Sequence, residues 1–124
     1  MLLENKYYHL IRVEDSESPL TKTYHLALNP DCDVYRGHFP GNPVCPGVCN
    51  IEAIKECAMM LTGKKLLIST IKQCRLTAVA TPSICPEISV KITAAEVQQG
   101  YMILATIADA HQTYMEYKGD MIIL

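Results

Sequence analysis

The sequence predicts an α+β fold in which one apolar helix is wrapped by an antiparallel β-sheet. Three observations support this. Two strand-like segments come first, a mostly apolar run follows, and three or four strand-like segments complete the chain. Short turns join the later segments, which favours an antiparallel meander. Since 124 residues suffice for one core, we expect residues 1–124 to form a single domain.

The first two strands are predicted to form a hairpin. Residues 7–13 are rich in aromatic and β-branched side chains, and a polar turn follows them. Residues 21–28 alternate in character. Thr21, Thr23, His25 and Ala27 lie on one face, and Lys22, Tyr24, Leu26 and Leu28 lie on the other.

The helix is predicted to run from Pro46 to about Leu61. Proline suits a first helical turn because its missing N–H would be unpaired there. The residues between are apolar on nearly every side, which is typical of a helix central to its domain. Gly63 follows, and glycine commonly ends a helix.

The second half of the chain is predicted to consist of strands. The segments are residues 66–79, 87–97, 101–110 and 113–124. The last is expected to be interrupted at Lys118-Gly119-Asp120, because these residues favour a turn.

Charge and composition exclude several classes of function. The formal net charge is −2 and there is no long Lys/Arg run, so we expect no binding to nucleic acid or anionic membranes. No apolar stretch approaches the roughly 18 residues of a membrane span. The N-terminus does not resemble a signal peptide, which predicts a cytoplasmic protein with free thiols. A metal-ligand role is open for three cysteines, but their spacing favours inert buried thiols: Cys45, Cys49 and Cys57.

The candidate functional residues lie between Gly37 and Glu52, in a segment shaped by proline and glycine. It contains His38-Phe39-Pro40-Gly41, then Pro43, Pro46-Gly47-Val48 and Glu52-Ala53. These residues resemble the signature of the β-hydroxyacyl-(acyl-carrier-protein) dehydratases of the FabZ type. The family motif places a catalytic Glu fourteen residues after its His, as Glu52 follows His38 here. A sister type that also isomerises the double bond carries Asp there, so Glu52 favours plain dehydration.

The resemblance implies a hotdog fold, with a long central helix inside a curled antiparallel sheet. It implies dehydration of a β-hydroxyacyl group on acyl carrier protein to the trans-2-enoyl thioester, in fatty acid or polyketide-like biosynthesis. No metal or diffusible cofactor is implied. The implied assembly is a homodimer or a larger homo-oligomer with active sites at the dimer interface.

The resemblance also implies a role for each motif residue. His38 is the base, Glu52 the acid or water-positioning group, and the Gly47 amide the oxyanion donor. These roles suit the residue types, because neutral imidazole is available near pH 7 and a helix N-terminus attracts negative charge. Substrate contacts are implied for Phe39, Pro40, Gly41 and Val48.

Two points remain open from the residues themselves. Glu52 has Lys55 and Glu56 at i+3 and i+4, which is also the pattern of a solvated helix stripe. Acidic acyl carrier proteins call for a basic docking patch. The candidates for this patch are Arg36, Lys64, Lys65, Lys72 and Arg75. The alternative is that these residues are scattered over the solvated surface and form no patch.

The chain also departs from the family pattern. Cys45 stands where Met is usual, Cys49 where Leu is usual, and Glu56 where Gln is common. The usual Pro-Gly-Asp turn of the later sheet is also replaced by the loop from Pro82 to Pro86. Three other functions of hotdog proteins stay open: a thioesterase, an enoyl-coenzyme A hydratase, and a non-catalytic protein that binds acyl carriers.

Overall fold

The computed structural model describes residues 1–37 and 45–124, with Arg36 and Gly37 described through their backbone alone. The architecture is α+β, as predicted. A six-stranded antiparallel sheet covers one main helix. In chain order the elements are β1 (Tyr8–Asp15), β2 (Thr21–Leu28), α1 (Val34–Gly37), α2 (Gly47–Thr62), β3 (Leu66–Leu76), β4 (Glu87–Val97), β5 (Gly100–Ala108) and β6 (Thr113–Ile123).

The strands are arranged in the order β1-β2-β4-β5-β6-β3. The β1–β2 hairpin is confirmed, and the structure buries Tyr24, Leu26 and Leu28 of β2. The meander is confirmed for β4, β5 and β6. It does not include β3, which pairs with β6 at the far edge. The long connection after β3 makes this possible, because it crosses from that edge to β4.

Strand β6 is continuous, so the predicted interruption at residues 118–120 is wrong. Gly119 lies opposite Ile71 of β3 and Ile103 of β5. A Cβ atom on Gly119 would collide with the backbone oxygen of Thr70. Glycine therefore allows β3 and β6 to approach closely at this point, and does not form a turn.

Helix α2 begins and ends where the sequence predicts. Pro46 precedes it with extended backbone angles, and Gly63 follows it in the left-handed conformation with φ 70°. The Gly63 N–H donates to the Met59 oxygen, which closes the last turn. The expectation of a helix apolar on nearly every side is not confirmed, because its buried face includes two polar residues, Asn50 and Glu56.

A buried carboxylate attaches the N-terminal segment to α2. Glu56 is fully buried and accepts hydrogen bonds from the Leu3 N–H (2.9 Å) and the Glu4 N–H (3.0 Å). The Tyr8 hydroxyl donates a third bond of 2.9 Å. Its polar atoms are thus satisfied inside the core, as buried charged groups require.

All six cysteines are free thiols. Burial raises the pKa of Cys45, Cys49 and Cys57, so these thiols lack the depressed pKa of reactive cysteines. Within residues 1–37 and 45–124, no cluster of three potential metal ligands occurs. No helix in this part of the chain combines the length and hydropathy needed to cross a membrane.

Candidate active site

The N-terminus of α2 is the centre of the candidate site. Gly47 is the first helical residue, and the Pro46 oxygen accepts hydrogen bonds from Cys49 (3.1 Å) and Asn50 (3.2 Å). The N–H groups of Gly47 and Val48 lie within this first helical turn. Such groups have no partner within the helix and lie at the positive end of its dipole. They can therefore stabilise negative charge on a nearby oxygen.

A cavity of about 330 Å³ lies beside this helix start. Its described lining consists of Cys45, Asn50 and residues 76–80. The last segment is held at both ends: the Thr77 N–H donates to the Tyr114 oxygen (3.0 Å), and the Ala80 oxygen accepts from the Cys45 N–H (2.8 Å). These bonds fix the cavity wall next to the helix, with Leu76 in van der Waals range of the Gly47 position.

Glu52 lies in the second turn of α2 and is partly buried, with its side chain 24% exposed. The Lys55 ammonium lies 3.4 Å from its Oε1 atom. Glu56 instead faces the N-terminal segment, so the carboxylate of Glu52 has Lys55 as its charged neighbour. Glu52 is two positions after Asn50 in the sequence, so the two side chains are about 200° apart around the helix axis. Glu52 therefore points away from the cavity that Asn50 lines.

The other predicted site residues are distributed as follows. His38, Phe39, Pro40 and Gly41 lie outside the described residues. Val48 is at the start of α2 and is 76% exposed. Gly47 is thus next to Leu76 of the cavity wall, Val48 is not among the described lining residues, and Glu52 lies on another side of the helix from Asn50.

The predicted docking residues occupy two regions. Lys64 and Lys65 are exposed directly after α2. On β3, Lys72 lies 3.4 Å from Asp120, and Arg75 lies 3.5 Å from Glu116. The side chain of Arg36 is outside the described set. Two of the five cations therefore have carboxylates of β6 beside them, and exposed pairs of this kind are weak.

A buried polar pair at the cavity wall was not predicted. The Tyr7 hydroxyl donates to Asn50 Oδ1 at 2.8 Å, and both residues are buried. Burial also raises the pKa of Tyr7, so its phenol stays protonated. One feature of the sequence could have indicated that Asn50 is buried. Ala53 and Ile54 follow it by three and four residues, so the three side chains lie on the same face of the helix.

Comparison with solved structures identifies the class of fold. The dehydratase heterocomplex ApeI:P from Xenorhabdus doucetiae contains a chain that superposes with a TM-score of 0.77 at 23% identity, covering 93% of this chain and 97% of that one. An uncharacterized protein from Erwinia carotovora gives 0.64 at 16% identity, covering 94% and 95%. The chain thus has the hotdog-type arrangement expected from the motif.

Sequence comparison identifies the family. The model of the ApeI-like family, described as ApeI dehydratase, matches residues 13–116, and the chain belongs to this family. The FabZ 3-hydroxyacyl-[acyl-carrier-protein] dehydratase of Levilactobacillus brevis is 33% identical over 92 residues, which are 65% of this chain and 61% of that protein. The FabZ enzyme of Lactiplantibacillus plantarum is 32% identical with the same coverage. The chain therefore spans about three fifths of these curated relatives, and the resemblance seen in the motif is confirmed.

Proposed function

We propose that this protein dehydrates β-hydroxyacyl thioesters to trans-2-enoyl thioesters. The observation that carries the proposal is the open N-terminus of α2 beside a cavity, in a chain of a dehydratase family. A reaction that develops negative charge on a thioester oxygen needs N–H donors next to a space for the acyl group. The start of α2 offers both.

The proposed chemistry uses three groups. His38 removes a proton from the carbon next to the thioester carbonyl, and the Gly47 N–H holds the charge that develops on the carbonyl oxygen. Glu52 donates a proton to the departing hydroxyl, which leaves as water. One C–H bond and one C–O bond break, a C=C bond forms and water leaves, so the step needs no oxidant or reductant.

The proposed substrate is carried by acyl carrier protein in fatty acid or polyketide-like biosynthesis. The dehydratase names of the curated relatives support this carrier. Phe39, Pro40, Gly41 and Val48 are proposed to contact the substrate. The exposed pair Lys64 and Lys65, directly after α2, is the more favourable docking region for an acidic carrier, because it is not interleaved with the acidic residues of β6.

The active unit is proposed to be a homodimer joined along β3. This strand lies at the sheet edge, next to β6. Its residues Ile71 and Leu76 lie opposite Gly119 and Met115, which are buried, and so project from the core face of the sheet. Both are nevertheless exposed, Leu76 by 65%. A second chain would cover this apolar surface and pair with the strand edge.

A role for Glu52 in a neighbouring chain is consistent with its position. Glu52 is not among the described residues that line the cavity, and it is about 200° around α2 from Asn50, which does line it. In the proposed site, His38 and Gly47 come from one chain and Glu52 from the other. We also propose that residues 1–124 act as one domain, in the cytoplasm, where free thiols such as its six cysteines remain reduced.

The test is turnover of a β-hydroxyacyl-carrier substrate, followed by the absorbance of the conjugated enoyl product. His38→Ala and Glu52→Gln should each lower kcat by about 10²–10⁴-fold. The matched control is Glu17→Gln, because Glu17 is an exposed carboxylate in the β1–β2 turn. Unchanged rates in both site variants would show that the proposed chemistry is wrong.

The same assay separates the other hotdog functions. Release of free thiol would indicate a thioesterase. A preference for coenzyme A thioesters over the carrier-bound substrate would indicate a hydratase. Carrier binding without any product, by the unaltered protein and the variants alike, would indicate a non-catalytic role. A chain that stays monomeric would point to a different partner chain, as in the heterocomplex from X. doucetiae.

A further inference from the structure

The cavity beside α2 has a polar group in a mostly apolar wall. Asn50 is 3% exposed and contributes to the lining, together with Cys45 and the segment 76–80. A purely hydrocarbon acyl chain needs no amide at this position. A buried amide is stable in such a wall only where its polar atoms find hydrogen-bond partners.

The orientation of the Asn50 amide follows from its hydrogen bond. Its Oδ1 atom accepts the Tyr7 hydroxyl at 2.8 Å. A carboxamide has its two N–H donors on the opposite side of the same carbon from the oxygen. Among the described residues, none accepts a hydrogen bond from Asn50 Nδ2. Asn50 therefore presents its Nδ2 atom to whatever occupies the cavity.

We propose that Asn50 determines substrate specificity by donating a hydrogen bond to an oxygen atom on the acyl chain. This rests on the proposed function, in which the thioester carbonyl lies at the Gly47 amide. Asn50 is three residues further along α2, about 4.5 Å along the helix axis. The recognised oxygen therefore lies a few bonds beyond the carbonyl, and the preferred substrate is a β-hydroxyacyl thioester with a further oxygen on a short chain. The cavity volume of about 330 Å³ is at the small end for ligand sites, which fits a short chain.

The preference has a simple energetic origin. A saturated chain would displace water from Asn50 Nδ2 and leave a buried donor without a partner, whereas an oxygenated chain restores the bond. A site built to hydrogen-bond its substrate rejects the analogue that lacks the acceptor. The oxygen is remote from the bonds that change, so the effect should appear in KM with little change in kcat.

The experiment compares two carrier-bound substrates of equal length. One is β-hydroxyhexanoyl, and the other has an ether oxygen in place of its C5 methylene. The unaltered protein should show a KM about tenfold lower for the ether. The double variant Tyr7→Phe/Asn50→Leu removes both hydrogen-bonding partners together, which avoids leaving either one unpaired in the core. It should lose the preference, while the control Glu17→Gln should keep it, because Glu17 is exposed in the β1–β2 turn and leaves the Tyr7–Asn50 pair intact.

The outcomes distinguish this inference from the dehydratase proposal. Equal KM values for the two substrates, or an equal loss on both in the double variant, would overturn the role of Asn50 and leave the dehydratase assignment intact. If neither substrate turns over, the dehydratase proposal fails. The inference is then tested by calorimetry with analogues in which an amide replaces the thioester. Tighter binding of the ether analogue by the unaltered protein alone supports it, and equal or absent binding of both overturns it.

Discussion

Replacing Glu56 with glutamine should destabilise the protein, although glutamine is common at this position in the dehydratases that the motif resembles. The two carboxylate oxygens accept three hydrogen bonds, from Leu3, Glu4 and Tyr8. Glutamine has one oxygen, so its NH₂ group must face either the Leu3 N–H or the hydrogen-bond donors at Oε1. Two donors then meet in a fully buried position.

The expected cost is about 1–3 kcal/mol of unfolding free energy, because at least one bond is lost and a backbone donor is left unpaired. It is measured by urea denaturation, with the exposed Glu17→Gln as the matched control that should change stability by no more than about 0.5 kcal/mol. Hydrogen exchange should also accelerate at the Leu3 and Glu4 amides. A Glu56→Gln variant as stable as the control, with unchanged exchange at both amides, would refute this description of the N-terminal attachment.

Three further substitutions have defined outcomes. Gly119→Ala should lower the free energy of unfolding by about 1–3 kcal/mol, because its new Cβ atom meets the Thr70 oxygen. Gly47→Ala should leave that free energy unchanged or slightly raised, because a Cβ atom there meets only ordinary van der Waals contact. Urea denaturation compares the two variants. Asp109 accepts hydrogen bonds from Tyr114 and two turn amides, which lower its carboxyl pKa in the folded protein. A lowered folded-state pKa contributes stability at neutral pH that is lost as pH falls through it. Between pH 7 and pH 3 the unaltered protein should therefore lose more stability than Asp109→Asn, and equal losses would contradict this reasoning.

Much of the fold could be predicted because its signals are local. The alternation of residues 21–28 predicts a strand and assigns Tyr24, Leu26 and Leu28 to one face, and the structure buries these three residues. Pro46 and Gly63 delimit α2 through backbone preferences that belong to single residues. Such signals do not depend on distant parts of the chain.

The remaining features depend on contacts between distant segments. Lys118-Gly119-Asp120 has a turn-like composition, yet Gly119 is needed because β3 passes so close to β6. The position of β3 at the far edge could not be read from its own residues. The role of Glu56 likewise depends on an N-terminal segment more than fifty residues away in the chain.

The candidate site also combines features that the sequence predicts with features that it does not. The motif around Gly47 and Glu52 was recognisable because it is contiguous, and the position of Gly47 at a helix start follows from Pro46. The Tyr7–Asn50 pair was not recognisable, because it joins the N-terminal segment to a helix more than forty residues later. Nor did the sequence show that Asn50 lines a cavity formed with the distant residues 76–80.

The most direct test of the central claim is complementation between two inactive variants. Chains carrying His38→Ala and Glu52→Gln are co-expressed with different affinity tags, and the mixed dimer is isolated by two successive purifications. If His38 of one chain works with Glu52 of the other, each mixed dimer contains one intact site and should show about half the dehydratase rate of the unaltered dimer. The two parent variants should remain nearly inactive. A mixed dimer as inactive as its parents would contradict a site shared between two chains.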